Sequence, residues 1–144
     1  MTEINSGFVG LGQMGAPMAA NIAATFPLVA YDKASASAQL PAGATVVDTL
    51  ADVANAADTI FLSVPDGPVS TAILQELAVM SKRRVRCVID LSTTGMDASR
   101  QAYEIAAGAG IIYIDAPVSG GQAGARAGTV SLMWAGPEAE MTRH

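Results

Sequence analysis

Gly7-Phe8-Val9-Gly10-Leu11-Gly12-Gln13-Met14-Gly15-Ala16-Pro17-Met18-Ala19-Ala20-Asn21 is the stretch whose reading decides the fold. It holds G-x-G-x-x-G as Gly10, Gly12 and Gly15, with a short apolar run before it and an alanine-rich run after it. That context predicts a strand, a tight turn and a helix. Gly10 would allow the turn, Gly12 would let the backbone approach a pyrophosphate, and Gly15 would let the helix pack close to the sheet. The N–H groups at the helix start would face phosphate charge. A plain strand–turn–helix junction can carry glycines by chance. Here the strand, the helix and a downstream acid all stand where a dinucleotide needs them.

That acid is Asp32, at the end of a second apolar run, Leu28-Val29-Ala30-Tyr31. A carboxylate there accepts hydrogen bonds from ribose hydroxyls and repels a 2′-phosphate, which favours NAD over NADP. Lys33 follows it directly and complicates the reading, because it can partly neutralise Asp32 or contact a phosphate.

Outward from this unit, strand and helix patterns alternate. Strands are expected over residues 4–10, 28–32, 44–47, 59–64, 85–91, 111–115 and 129–134. Helices are expected over 13–25, 35–40, 50–56 (with Thr49 as N-cap), 69–80 and 97–107. Pro17 falls in the first turn of its helix, where a missing N–H costs little. Thr59-Ile60-Phe61-Leu62-Ser63-Val64 is almost wholly apolar, as a strand buried on both faces should be. The alternation predicts one domain over 1–144: an α/β fold with a doubly wound, mostly parallel sheet. Polar and glycine residues fall just past the strands, at 10–15, 32, 63–66, 90–94 and 115–121. In such a fold those positions share one rim, the rim that binds ligands.

Three further groups lie on that rim. Val64-Pro65 and Ser92-Thr93 follow the fourth and fifth strands, where they would line the nicotinamide half of a crevice. The Ser92 and Thr93 hydroxyls can bond ribose or a carboxamide, or the segment can simply cap the next helix, with Thr94 as cap. In Asp115-Ala116-Pro117-Val118-Ser119-Gly120-Gly121, exposed N–H groups and the Ser119 hydroxyl can hold a carboxylate. A flexible glycine turn between two strands explains the same residues equally well. Cys87 reads as core, Met14 and Met18 as helix-on-sheet packing, Trp134 as packing, and Lys82-Arg83-Arg84-Val85-Arg86 as a solvated loop. No cysteine–histidine pairing suggests a metal, since the only histidine is His144.

Composition bounds the partners. The chain has 144 residues, 51% hydrophobic and 15% charged, with net charge −5; mean hydropathy is +0.36. The acidic balance argues against nucleic acid. The high apolar content calls for a large core or an apolar face that meets something else. No apolar run reaches membrane-spanning length, and one cysteine allows no internal disulfide, so a cytoplasmic setting is expected.

Two stretches jointly resemble a known family. Residues 8–21 look like the N-terminal signature of the β-hydroxyacid dehydrogenases, and residues 115–121 look like their substrate-binding signature. Asp90-Leu91-Ser92-Thr93-Thr94 and Gly124-Ala125-Arg126-Ala127-Gly128-Thr129 are similar to further family segments. The resemblance covers essentially the whole chain. It implies a Rossmann-type NAD(P)-binding domain in which Gly10, Leu11, Gly12, Gln13, Met14 and Gly15 bind the dinucleotide. It also implies that Val64, Pro65 and Thr93 contact the cofactor, and that Ser119, Gly120 and Gly121 hold the carboxylate of a small hydroxy acid or semialdehyde. Some members carry a cofactor-touching asparagine four residues after the proline; here that residue is Val69.

The family's general acid/base is a lysine on a long helix leading into an all-helical second domain. This chain has only Lys33 and Lys82, and neither matches that motif. The resemblance therefore implies a nucleotide-binding half without catalytic residues, its helical domain absent, from an enzyme that acts as a homo-oligomer. An NADP-linked glyoxylate, succinic semialdehyde or imine reductase is the alternative on the same scaffold. A non-catalytic NAD-binding sensor or interaction module is the alternative outside enzymes.

Overall fold

The computed structural model describes residues 5–34 and 40–144. The short helix expected over 35–40 and the first residue of the strand expected over 4–10 fall outside them, apart from Leu40. Six strands form the main sheet: β1 Ser6–Val9, β2 Leu28–Tyr31, β3 Thr45–Val46, β4 Thr59–Leu62, β5 Cys87–Asp90 and β6 Ile112–Asp115. All neighbours are parallel, in the order β3-β2-β1-β4-β5-β6. The chain leaves β1 toward β2 on one side and returns to β4 on the other. The strand order therefore reverses at β1/β4, where open α/β sheets bind ligands. Ser6 is level with Leu28 and Thr59, and Val9 with Tyr31 and Leu62, so the strands on either side of that reversal end together.

Side chains alternate across the sheet and feed two cores. Val9, Ile60, Leu62, Val88 and Tyr113 face one way, against α2 (Leu50–Ala56), α3 (Gly67–Val79) and α4 (Met96–Gly108). Phe8, Ala30, Cys87, Ile89 and Ile114 face the other, with Ala16, Met18 and Ala19 of α1 (Gly15–Ala23). Fully buried Phe8, Ile60, Leu62, Leu74, Leu77, Ile89 and Ile114 dominate these layers. Each such side chain contributes roughly 1.5–3 kcal/mol of transfer free energy. Leu74 and Leu77 of α3 sit in the core, with Ile73 and Met80 packed at its margin, as the spacing predicts. Thr49 caps α2 by accepting the Asp52 N–H at 3.1 Å. Asp66 caps α3 by accepting from Val69 N–H at 3.1 Å.

The C-terminal third differs from expectation. The glycine-rich segment 116–128 contains a short strand, β7 Val118–Ser119, and a helix, α5 Gly121–Ala127. The glycines hide the helix from the eye. Gly120 and Gly128 stand at its two ends with positive φ, while Gln122, Ala123, Ala125 and Ala127 carry good helical propensity. The strand expected over 129–134 shortens to β8 Ser131–Leu132. It runs antiparallel to β7 in a separate two-stranded sheet and touches the main sheet through one bridge, Asp115 to Ala135. A final helix, α6 Glu138–Arg143, follows.

The basic run 82–86 is also less simple than a solvated loop. Val85 is core, and Arg83 donates to the carbonyls of Met80 (3.0 Å) and Ala109. Cys87 is buried as expected, and burial pushes its thiol up to about 12. Met18 and Met14 pack on the Phe8 side of the sheet, and Trp134 joins them. Part of the apolar excess stays exposed, at Met96, Tyr103, Leu132 and Met133. Among the described residues, no helix is long and apolar enough to cross a membrane.

Candidate functional site

The glycine turn closes over the C-terminal end of β1. Gly10 has φ +102°, and its N–H donates to the Tyr31 carbonyl at 3.0 Å. A Cβ at Gly10 would lie 1.9 Å from the Ser63 carbonyl oxygen. A Cβ at Gly15 would lie 1.8 Å from the Gly10 carbonyl oxygen. Both contacts are with backbone and have no side chain to move aside. Gly12 is different: a Cβ there meets nothing within 4 Å. The three glycines thus divide their work. Gly10 and Gly15 are required by the turn itself, and Gly12 keeps the space in front of it clear. Helix α1 begins beside that space with Met14 as N-cap. It has no side-chain cap and no acid in its first turn. An anion there would meet the positive end of the helix and its backbone N–H donors.

Asp32 stands just past β2. Its Oδ2 accepts the Leu11 N–H at 2.6 Å and its Oδ1 the Ala34 N–H at 2.7 Å. Leu11 is fully buried, so the carboxylate braces the glycine turn from the side. Sequence reasoning gave Asp32 only a ribose-binding role. The bracing depends on where the turn folds back, which spacing does not encode. Each carboxylate oxygen keeps acceptor capacity for a ribose hydroxyl. Lys33 next to it is exposed.

The later loops are tied to each other. Val64 N–H donates to the Ser92 hydroxyl at 2.9 Å, joining the loops after β4 and β5. Ser92 is buried, so its hydroxyl supports Val64-Pro65 instead of reaching a ligand; the cofactor-bonding option for Ser92 is corrected on this point. Thr93 is exposed on the rim, as that option required of it. The expected Thr94 cap is absent: α4 is preceded by Gly95 at φ +81°, with no side-chain cap. Asp90, fully buried, accepts from Ser92 N–H (3.0 Å) and the Tyr113 hydroxyl (2.8 Å), joining β5 to β6. Burial and the neighbouring Asp90 carboxylate raise the Tyr113 hydroxyl above its ordinary range. Burial also raises Asp115, with the Ser99 hydroxyl opposing and Asp90 adding to the shift. The Asp115 Oδ1 is buried without a partner.

Ser119, Gly120 and Gly121 are exposed beyond β6, with Gly120 at φ +142° and Gly121 at +62°. Helix α5 brings them back to the glycine turn. The Asn21 side-chain amide donates to the Ala125 carbonyl at 2.7 Å, and Gln122 Nε2 donates to Gln13 Oε1. These two ties were invisible in the sequence, because each joins residues more than 100 positions apart. A groove lies elsewhere, between α4 and the end of β6, lined by Thr93, Ser99, Tyr103, Tyr113 and Asp115 among others. Of the predicted site residues only Thr93 lines it, so the glycine trough is an open surface cradle and not that groove.

A parallel sheet with its order reversing at β1/β4, a cleared glycine turn there and an acid past β2 define a dinucleotide-binding domain of Rossmann type. The residues present fit NAD: a helix start for the pyrophosphate, open space at Gly12 and a carboxylate for the ribose. The family model described as the NAD binding domain of 6-phosphogluconate dehydrogenase matches residues 5–144, and the chain belongs to that family. The chain is 40% identical over 142 residues to 2-(hydroxymethyl)glutarate dehydrogenase of Eubacterium barkeri, covering 95% of this chain and 47% of that protein. It is 36% identical over 141 residues to 2-hydroxy-3-oxopropionate reductase of Escherichia coli (strain K12), covering 95% and 48%. Among solved structures, Mycobacterium tuberculosis 3-hydroxyisobutyrate dehydrogenase with L-serine superposes with a TM-score of 0.88 at 31% identity, over 99% of this chain and 50% of that one. The chain spans about half the length of the curated relatives it matches.

Proposed function

We propose that this chain is the cofactor-binding part of an oxidoreductase that moves a hydride between NAD and a small 3-hydroxy acid or the matching semialdehyde. The observation that carries the reading is the meeting of two segments on one rim. The cleared glycine turn with Asp32 offers a dinucleotide cradle, and the Gln13–Gln122 and Asn21–Ala125 ties hold the 119–121 segment beside it. When bound, NAD supplies the hydride acceptor at nicotinamide C4.

The chain's own residues bind and orient. The α1 start and the backbone of residues 10–15 take the pyrophosphate, and Asp32 takes the adenosine ribose. Val64, Pro65 and Thr93 flank the nicotinamide side, and the Ser119 hydroxyl with the Gly120 and Gly121 N–H groups holds the substrate carboxylate. Asp32 favours NAD over NADP, because a 2′-phosphate would sit against its charge. Neither lysine serves as acid/base. Lys33 follows β2 and Lys82 precedes β5, both exposed. The proton carrier would come from outside these 144 residues, on a helical domain that also supplies most of the substrate's side-chain contacts.

The test has two arms. NADH titration of the 144-residue chain should show binding, and the chain supplied with NAD+ and 3-hydroxyisobutyrate should show no turnover. The longer gene product should turn over a 3-hydroxy acid, and should lose that activity when a lysine-bearing helix beyond position 144 is altered. A longer product that binds NADH yet carries no such lysine would favour the non-catalytic binding module. Tighter binding of NADPH would favour the NADP-linked reductase alternative.

A further inference from the structure

At the edge of the sheet opposite the glycine turn, three ligating side chains converge that the dinucleotide site does not use. Thr59 opens β4 and Cys87 opens β5, and the two are paired in register. Helix α6 crosses toward this edge. Glu140 and His144, one helical turn apart, therefore project from the same face. The Cys87 sulfur, a Glu140 carboxylate oxygen and a His144 ring nitrogen all lie within 4.8 Å of one another. The cluster is nearly closed to solvent: Cys87 is 2% exposed, and the His144 and Glu140 side chains 6% and 15%.

An ordinary ion pair accounts for only part of this. His144 Nε2 lies 3.4 Å from Glu140 Oε2, but that pairing leaves the thiol with no role. The ion pair by itself also gives the imidazole no reason to lie beside a sulfur. Thiolate, imidazole and carboxylate together are the donor set of zinc-class cations, which bind these groups at roughly 2.0–2.3 Å in tetrahedral sites. The three donors are spaced so that small rotations close on one ion. The Thr59 hydroxyl, 3.5 Å from His144 Nε2, stands beside the fourth position.

We propose that Cys87, Glu140 and His144 form a binding site for a zinc-class divalent cation, which fastens α6 to the N-terminal edge of the sheet. Binding forms a metal–sulfur bond as the thiol proton leaves to solvent; no electrons are transferred. Sequence spacing gives no sign of the site, because its ligands come from a strand and from a helix far along the chain.

Cobalt(II) is the probe. The 144-residue chain, stripped with a chelator, is titrated with Co²⁺ and followed by optical absorption. The expected result is one equivalent bound, with a thiolate-to-cobalt charge-transfer band and tetrahedral d–d bands that zinc abolishes on addition. His144→Ala, outside the sheet and the helices that cover it, should weaken binding beyond the roughly 10–100-fold typical of losing an outer-shell partner. Cys87→Ser should erase the charge-transfer band. If that buried change prevents folding, Glu140→Gln serves with His144→Ala. Absence of the charge-transfer band at saturating cobalt, or unchanged affinity in His144→Ala, overturns the proposal.

Discussion

Asp32→Ala and Asp32→Asn separate the bracing bond that the carboxylate makes from the ribose-binding role proposed for it. In the folded chain it accepts the Leu11 N–H at 2.6 Å, and Leu11 is fully buried. Removing the acceptor takes the charged partner from that N–H at a part-buried position. Hydrogen bonds to charged groups are worth about 1.5–3 kcal/mol, and an orphaned buried donor costs a similar amount. The Ala34 N–H, bonded to the other oxygen, is exposed and can turn to water at little cost. The expected loss is therefore about 2 kcal/mol. For a domain near this size each kcal/mol moves Tm by roughly 2–4 °C, so Tm should fall by about 4–8 °C. Asp32→Asn keeps an acceptor oxygen for Leu11 and should lose roughly half as much. Its lost charge should still erode discrimination against NADPH by about tenfold, the equivalent of about 1.4 kcal/mol. Thermal unfolding by circular dichroism, paired with NADH and NADPH titrations of both variants, reads the two effects separately. An unchanged Tm in Asp32→Ala refutes the bracing role. An unchanged NADH/NADPH ratio in Asp32→Asn refutes the ribose role.

Two further outcomes follow from the same geometry. Gly10→Ala and Gly15→Ala should each destabilise the fold, because the new Cβ meets a carbonyl oxygen at 1.9 or 1.8 Å. Overpacking of this kind costs about 1–3 kcal/mol, and at Gly10 the positive φ adds about 1–3 kcal/mol, so urea midpoints should fall in both and further at Gly10. Asp115→Asn should instead stabilise the chain at neutral pH. Burial raises the folded carboxyl above its ordinary value of 3.8, so the folded state holds this proton more tightly than the unfolded state. Stability from this group is full below that value and falls as pH rises through the raised one. The gain in Asp115→Asn should appear in urea melts at about pH 7 and vanish below the ordinary carboxyl range.

Most of the sheet was legible because parallel strands buried on both faces are largely apolar, as Ile60-Phe61-Leu62 and Cys87-Val88-Ile89 are. The glycine turn was legible because its spacing is fixed by local backbone geometry. What the sequence concealed was tertiary. The helix α5 looked like loop because glycine at its ends outweighs alanine in its middle to a reader counting breakers. The strand expected over 129–134 came without a partner, because a strand pattern names a strand and not the strand it pairs with; it pairs with β7 outside the main sheet. Ser92 looked like a ligand group because a hydroxyl on the rim and a hydroxyl under the rim read alike. The bond from Leu11 N–H to Asp32 was hidden as well, because a residue past a strand end reads as a ligand group and not as a brace for a turn 21 positions away.

Gly12 offers the most direct measurement of the central claim, that the turn at residues 10–15 is a dinucleotide cradle. A Cβ there meets nothing within 4 Å, so Gly12→Val should fold as well as the unmutated chain while filling the space a pyrophosphate needs. NADH titration followed by fluorescence or calorimetry, with Tm measured alongside, should show at least about a tenfold loss of affinity at unchanged Tm, equivalent to about 1.4 kcal/mol. A Gly12→Val chain that binds NADH as tightly as the unmutated one would contradict the account.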